Sequence, residues 1–469
     1  MLGITPQGKQ REVMALPAQG HIIVLGAAGS GKTTIALLRA YQLANRPGSD
    51  KVLLVTFNGA LVEYMKGISD QSAAKLQIES YHKFARGYLS SRGKTLSNVI
   101  LNTNGKNHFI EQAVDSLKRQ NPAEPTLKRP KEFFIEEITF IEKFGFADIA
   151  SYYGAERIGR GAANIKRENR KWIFAAYEKY VELREAAGRK YDWDDLALHA
   201  YNELQDDATT RRYTHIIVDE GQDFSPMMIK SLISAVKGGG SFTFFGDVAQ
   251  QIYGSRLSWR DSGINAEKVW RLDANYRNPT TIVEFAKDIT RSLYWRNDND
   301  MVEATMQIAE GPKPVLIGFS CRQREMEWVV ETAIKNARVS STVIICRKRA
   351  DISLFMPLLN NKGCLATEID RKTPGYAHVK TVYLSTFHAT KGLEFDNVLV
   401  PFLSSDKFPD PDTVANAMSE DEAYSDEIKL LYVAVTRSKY ALYMTYSDRL
   451  SPLFPRDSDN YDFSEEEDI

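Results

Sequence analysis

The chain has 469 residues, with 60 basic against 61 acidic side chains and 43% hydrophobic residues. That length holds two or more domains with large buried cores, and the near-neutral balance excludes a globally basic polyanion binder, so any nucleic-acid surface must be local. Three cysteines (Cys321, Cys346 and Cys364) lack zinc or disulfide spacing, which suits a reducing compartment. No signal peptide opens the chain and no apolar run approaches membrane-spanning length, so a soluble, cytoplasmic protein without a membrane partner is expected.

In chain order, the first strong signal is the apolar run 21–25 followed by Gly26-Ala27-Ala28-Gly29-Ser30-Gly31-Lys32-Thr33 and a helical stretch from Thr34. This strand–loop–helix context is what a phosphate loop needs. Glycines let backbone N–H groups close around phosphate oxygens, and the helix N-terminus adds a favourable dipole. Lys32 is expected to reach the β/γ-phosphates as an exposed loop lysine, and the Thr33 hydroxyl to hold Mg²⁺. Further continuous apolar runs at 51–57, 214–218 and 241–245 predict strands covered on both faces. The run 214–218 leads into Asp219-Glu220-Gly221-Gln222-Asp223, whose acidic pair is suited to holding a metal and activating a water. These two motifs imply an NTPase that works with Mg²⁺.

Residues 92–190 carry few strand signals and much charge, so a mostly helical insertion is expected there. Its basic stretch from Arg157 to Lys190 includes Arg160, Lys166, Arg167, Arg170, Lys171, Lys179, Arg184 and Arg189. It reads either as a duplex-binding patch or as a solvated helix face. Asp192-Trp193-Asp194-Asp195 after it reads as a helix start with capping acids rather than a metal site. The second half brings strand runs at 314–319, 343–346, 382–386, 398–400 and 441–445, and the end from Asp457 to Ile469 is acidic and reads as a disordered tail. The expected division is residues 1–91 with 191–268 as the first domain and 92–190 as the inserted arm. Residues 269–455 would form the second domain, followed by a tail at 456–469. The class is α/β, with two parallel-sheet domains.

Five further segments follow in order: Asp219-Glu220-Gly221-Gln222-Asp223, Gly246 to Tyr253, Asn275-Tyr276-Arg277, His388 to Phe395 and Tyr432 to Arg437. Together with the phosphate loop they resemble the UvrD/Rep-type superfamily 1 DNA helicases, with details closest to the F-box DNA helicase branch. The resemblance covers residues 4 to 447 apart from the insertion. It implies two RecA-like domains and an ATP-driven translocase on single-stranded DNA, with RNA left open, moving 3′→5′. In that family's terms Gln10 bonds adenine, Tyr276 stacks on the base and Glu394 binds the ribose. Asp219 holds Mg²⁺, Glu220 activates the water, Gln250 senses the γ-phosphate, and Arg277 and Arg437 stabilise the transferring charge. Thr34 stands where some relatives place an arginine near adenine. Phe57, Asn58, His82, Tyr253, Arg256, Thr386 and His388 match strand-contacting positions; Ser255 stands where relatives carry a stacking Trp, and Trp259 is the candidate to substitute for it from a shifted loop.

Between Arg277 and Thr386 there is room for a compact domain and none for the second arm of larger relatives. Two alternatives stand beside the helicase reading. One is a motor that unwinds only with a protein partner docked on the arm or the acidic tail, in repair or antiphage defence. The other is a nucleotide-dependent DNA-binding switch. Localisation is then cytoplasmic, and nucleoid-associated in a bacterium.

Overall fold

The computed structural model describes residues 5–49, 51–68, 74–155, 165–207, 212–247, 262–295, 306–369, 380–417 and 419–468. In the first domain the strands are β1 (Gly20–Gly26), β2 (Val52–Thr56) and β3 (Leu76–Ser80). The two-residue pair β4 (Ile100–Leu101) and β5 (Tyr191–Asp192) closes the root of the arm, and β6 (Tyr213–Asp219), β7 (Val236–Gly246) and β8 (Val269–Leu272) complete the set. Six of them form one parallel sheet in the order β3-β2-β6-β7-β1-β8. Helices α1 (Lys9–Met14), α2 (Lys32–Ala44) and α3 (Gly59–Ile68) enclose a core that includes Val24, Leu37, Leu54 and Ile217. Helix α4 (Tyr81–Ser91) lies on the other face, where Phe84, Ile216 and Phe242 pack.

The arm folds as α5 (Thr103–Gln120), α6 (Lys131–Phe144), α7 (Ile149–Gly154) and α8 (Arg170–Ala186) around its own core of Ile110, Phe134, Ile138, Ile141, Tyr152 and Ile173. Two of the cations expected on its surface are structural instead. Arg170 is buried and donates to the carbonyls of Tyr152, Tyr153 and Ala155 at 2.6, 2.9 and 3.1 Å. Arg184 is buried against Asp195 at 2.7 Å and Asp192 at 3.2 Å. Lys166, Arg167 and Lys171 remain exposed, while Arg157 and Arg160 lie outside the described residues.

Helices α9 (Leu196–Gln205) and α10 (Pro226–Ser234) complete the first domain. The segment Asp192–Asp195 is a short turn in which Asp192 accepts from the Asp194 and Asp195 N–H groups at 2.8 and 3.1 Å. Glu142, Asp192 and Asp194 come close enough to hold a cation, and the Lys106 ammonium stands there, 2.7 Å from Asp194 and in contact with Glu142. This is an ion-pair network at the arm's root.

The second domain begins with the parallel pair β9 (Ala274–Pro279) and β10 (Met306–Ala309), separated by α11 (Thr280–Thr290). Then come β11 (Val315–Phe319), α12 (Arg322–Ala337), β12 (Thr342–Cys346), α13 (Arg349–Asn361), β13 (Thr367–Glu368), β14 (Val382–Thr386) and β15 (Phe395–Val400). Helices α14 (Pro411–Asn416) and α15 (Glu420–Val435) precede β16 (Ser438–Ser447) and β17 (Asp462–Glu465). Seven strands form a second parallel sheet in the order β13-β14-β12-β15-β16-β11-β17. The architecture is thus two RecA-like α/β domains, the first carrying the helical arm.

Two boundaries move. Strand β8 pairs with β1 from Ile23↔Val269 to Gly26↔Leu272, so the first domain runs through Leu272. The acidic end is no free tail. Its strand β17 pairs with β11, the Glu466 carboxylate accepts from the Ser320 N–H at 3.1 Å, and Tyr461 packs on Phe285 and Phe454. Backbone pairing at a sheet edge needs no apolar run, which is why composition alone misread it.

Candidate active site

Strands β1, β6 and β7 end side by side, the register pairing Leu25 with Gly246 and Val218 with Phe244. Their carboxyl ends therefore deliver the phosphate loop, Asp219-Glu220 and Asp247 to one crevice, where open parallel sheets bind ligands. The loop bends through Gly29 at φ 75°, a conformation an L side chain rarely adopts. A Cβ there would also collide with the Asn275 side chain. Ala27, Ala28 and Ser30 are buried beneath it, while Thr33 and Thr34 are half-buried in the first turn of α2.

Lys32 is not an exposed loop lysine. It is 6% exposed, donates to the Gly26 and Ala27 carbonyls at 2.8 Å each, and lies 3.2 Å from Asp247. Asp219 faces it from β6. Burial, reinforced by the charge of Glu220, pushes the Asp219 carboxyl up to about 7, against the pull of the Thr33 hydroxyl and Lys32. Its oxygens make no close, well-aligned hydrogen bond, the Thr33 hydroxyl being the side-chain donor beside them, although the side chain is fully buried. Such a buried carboxylate beside a hydroxyl suits a hard divalent cation with oxygen ligands, so the residues present fit Mg²⁺, with Asp219 and Thr33 as the holders.

Glu220 sits in the left-handed region at φ 53°. Burial pushes its carboxyl up, but Lys391, Lys32 and Arg437 outweigh that and hold it below the usual range, so it is ionised at neutral pH. Its neighbour Gln222 donates to its Oε2 at 2.5 Å, a partner that motif reading left unassigned.

The second domain closes the site. The Asn275 side chain accepts from the Arg277 and Asn278 N–H groups at 2.9 Å each, and Asn278 donates to the carbonyls of Thr436 and Ser438 at 2.9 and 2.6 Å. These bonds weld the start of the second domain to the segment that carries Arg437. Arg437 is 1% exposed and donates to the Val433 carbonyl at 2.8 Å. Burial and then the like charge of Arg277 lower its pKa to about 10, with Glu220 and Asp247 among the anions that oppose the fall. Arg277 pairs with Glu394, and the Tyr276 N–H donates to the Gly29 carbonyl at 2.9 Å. Gln10 of α1 packs against the same loop, its amide donating to the Ser30 carbonyl at 2.9 Å. Its helix is pinned by Arg39, buried in α2, which donates to the carbonyls of Val13, Leu16 and Pro17 at 3.1, 3.3 and 2.8 Å. The cross-domain pair Lys391–Asp223, 2.5 Å apart and almost wholly buried, was likewise not assigned from the motifs.

Residues 7–266 match the UvrD/REP helicase N-terminal domain, and residues 368–449 match the UvrD-like helicase C-terminal domain. The chain belongs to the UvrD/REP family of ATP-dependent DNA helicases. It is 22% identical over 449 residues to a probable DNA helicase of Mycoplasma pneumoniae, covering 91% of this chain and 80% of that one. It is 25% identical over 302 residues to the putative ATP-dependent DNA helicase YjcD of Bacillus subtilis, covering 58% and 37%. It is 27% identical over 305 residues to DNA helicase II of Haemophilus influenzae, covering 60% and 40%. The chain thus spans about two fifths of the latter two relatives. No helix among the described residues is long and apolar enough to cross a membrane.

The strand-contacting positions expected of a UvrD/REP helicase are divided. Phe57 and His82 meet edge to face at 5.5 Å on the rim of the first sheet. His82 in turn meets Trp193 at 5.3 Å, and that indole is 38% exposed. Asn58 instead bridges the domains, donating to the Lys391 carbonyl at 2.9 Å and accepting from the Ala60 N–H at 3.0 Å. The Thr386 hydroxyl accepts from the Ala389 N–H at 3.2 Å. His388 is driven down to about 4 by burial and then by Arg347 and Lys391, so its imidazole is neutral at pH 7. Gln250, Tyr253, Arg256 and Trp259 fall outside the described residues.

Proposed function

We propose that this chain is a motor that hydrolyses ATP with Mg²⁺ to move 3′→5′ along single-stranded DNA. The observation that carries the reading is the convergence of charge from both domains on one cleft. Lys32, Asp219 and Glu220 stand on the first domain, and Arg277, Arg437 and Lys391 reach the same space from the second. Phosphoryl transfer needs positioned charge rather than covalent chemistry, and an inserted arginine contributes about 10³–10⁵ in rate. Mg²⁺ held at Asp219 and Thr33 would neutralise phosphate charge. Glu220, kept ionised by three cations, takes the proton of the attacking water, while Arg277 and Arg437 meet the charge on the transferred group. Gln10, Tyr276 and Glu394 are assigned to the nucleoside, and Gln250 to the γ-phosphate. Because the arginines and the phosphate loop belong to different domains, each turnover couples to domain closure and opening.

Single-stranded DNA is assigned to the rims that carry Phe57, His82, Thr386 and His388, where stacking on an aromatic contributes about 1–3 kcal/mol per base. Among the described residues, the interval from β10 to β14 is filled by the second sheet and its helices, with no second arm. That favours a motor that walks on single strands readily and unwinds long duplexes only with a protein partner, docked on the arm or on the acidic edge strand. Streptavidin displacement from end-biotinylated oligonucleotides tests the polarity. Release from the 5′ end supports the proposal, and faster release from the 3′ end overturns the direction.

A further inference from the structure

Gln222 lies in the turn Gly221–Asp223 after β6 and is 5% exposed. Both ends of its carboxamide are engaged. Nε2 donates to Glu220 Oε2 at 2.5 Å, and Oε1 accepts from the Asp247 backbone N–H at 2.8 Å. The Asp247 carboxylate in turn stands 3.2 Å from the Lys32 ammonium. A continuous line of contacts therefore runs from the phosphate-loop lysine through Asp247 and Gln222 to Glu220, joining the ends of β1, β7 and β6.

Two features show that the line is built tightly. A Cβ on Gly221 would collide with the Phe244 ring, so the turn can lie this close to β7 only with glycine at that position. Glu220 itself holds φ 53°, a left-handed conformation that a non-glycine residue keeps only where its surroundings enforce it. The direction of its carboxylate is thus set by tertiary contacts, and the hydrogen bond on that carboxylate comes from Gln222.

We infer that Gln222 is a positioning residue for hydrolysis. It fixes the Glu220 carboxylate toward the attacking water and ties that orientation to Asp247, and so through Lys32 to the phosphate loop. The inference rests on the proposed ATPase reading. A misplacement of about 1 Å at a reacting group can cost roughly 10² in rate, which sets the scale of the expected effect.

The test uses the full chain, steady-state ATP hydrolysis with saturating single-stranded DNA, and thermal melting in parallel. Gln222→Met keeps volume and loses both bonds. It should lower kcat about 10–100-fold with KM for ATP within about threefold. Gln222→Glu keeps the acceptor for Asp247 but puts a like charge on Glu220, and it should lose at least as much kcat. The deciding comparison is the pair with Glu220→Gln. If Gln222 acts through Glu220, Gln222→Met should slow a Glu220→Gln protein no further, whereas independent effects would multiply. Gln222→Met with kcat within about threefold of wild type would overturn the inference, as would full multiplication in the double variant. If Gln222→Met fails to fold, Gln222→Glu alone and combined with Glu220→Gln decides by the same criteria. A wild-type chain that hydrolyses no ATP would sink the functional reading itself, a result distinct from either.

Discussion

The buried carboxylate of Asp219 makes a quantitative prediction about proton and magnesium. Its pKa is raised to about 7 by burial and then by Glu220, and the Thr33 hydroxyl and Lys32 only partly offset that rise. Only the ionised form can hold Mg²⁺, so proton and metal compete for one site. The sign follows from the raised value: competence is full well above pH 7 and is lost as pH falls through 7. The ionised fraction is about 0.9 at pH 8, about 0.5 at pH 7 and about 0.09 at pH 6 for such a group, whereas a carboxyl at the ordinary value of about 3.9 stays ionised throughout. KM for the magnesium–ATP complex should therefore rise about tenfold from pH 8 to pH 6. The assay is initial ATP hydrolysis at saturating single-stranded DNA, with the complex concentration corrected at each pH for protonation of ATP itself. Asp223→Asn should be run beside wild type, because burial raises Asp223 to about 6 and it titrates in the same window. His388, at about 4, does not. A KM that stays flat from pH 8 to pH 6 would refute the reasoning and return Asp219 to the ordinary carboxylate range.

Asp219→Asn should abolish hydrolysis yet raise Tm by a few degrees at pH 8, since it removes a buried charge that lacks close, well-aligned donors; a lower Tm would contradict that. Lys32→Ala should abolish turnover and also cost roughly 1–3 kcal/mol in melting experiments, because it strands the buried Asp247 carboxylate. Glu220→Gln should keep ATP binding, read by a fluorescent analogue, while turnover falls by about 10² or more. In a double-mutant cycle on Lys391 and Asp223, single removal should destabilise more than joint replacement by Met and Asn, with coupling of at least about 1 kcal/mol. Tyr461→Ala should lower Tm by a few degrees, since the ring packs on Phe285 and Phe454; an unchanged Tm would show that the acidic strand contributes nothing.

The central strands were legible because buried parallel strands read as unbroken apolar runs, as in Ile22 to Leu25 or Val343 to Ile345. The strands β3, β8 and β17 were not, for different reasons. Leu76-Gln77-Ile78-Glu79-Ser80 alternates at the sheet's edge, β8 lies at the expected domain join, and Asp462-Phe463-Ser464-Glu465 carries acids that backbone pairing tolerates. Motif order revealed which residues carry the chemistry, yet not how they are held. The Arg39 clamp on α1, the Gln222 bridge and the Lys391–Asp223 pair join positions distant in sequence or leave no periodic trace. Arg170 and Arg184 were misread for the converse reason: a helical arginine looks the same in sequence whether it faces solvent or caps carbonyls and carboxylates inside the arm.

The most direct test of a DNA-driven motor is steady-state ATP turnover by the purified chain at low salt, with and without a single-stranded oligonucleotide. The account predicts a many-fold rise on adding DNA, an apparent DNA affinity that falls steeply as salt is raised, and loss of the rise in Glu220→Gln. Equal turnover with and without DNA or RNA would contradict it.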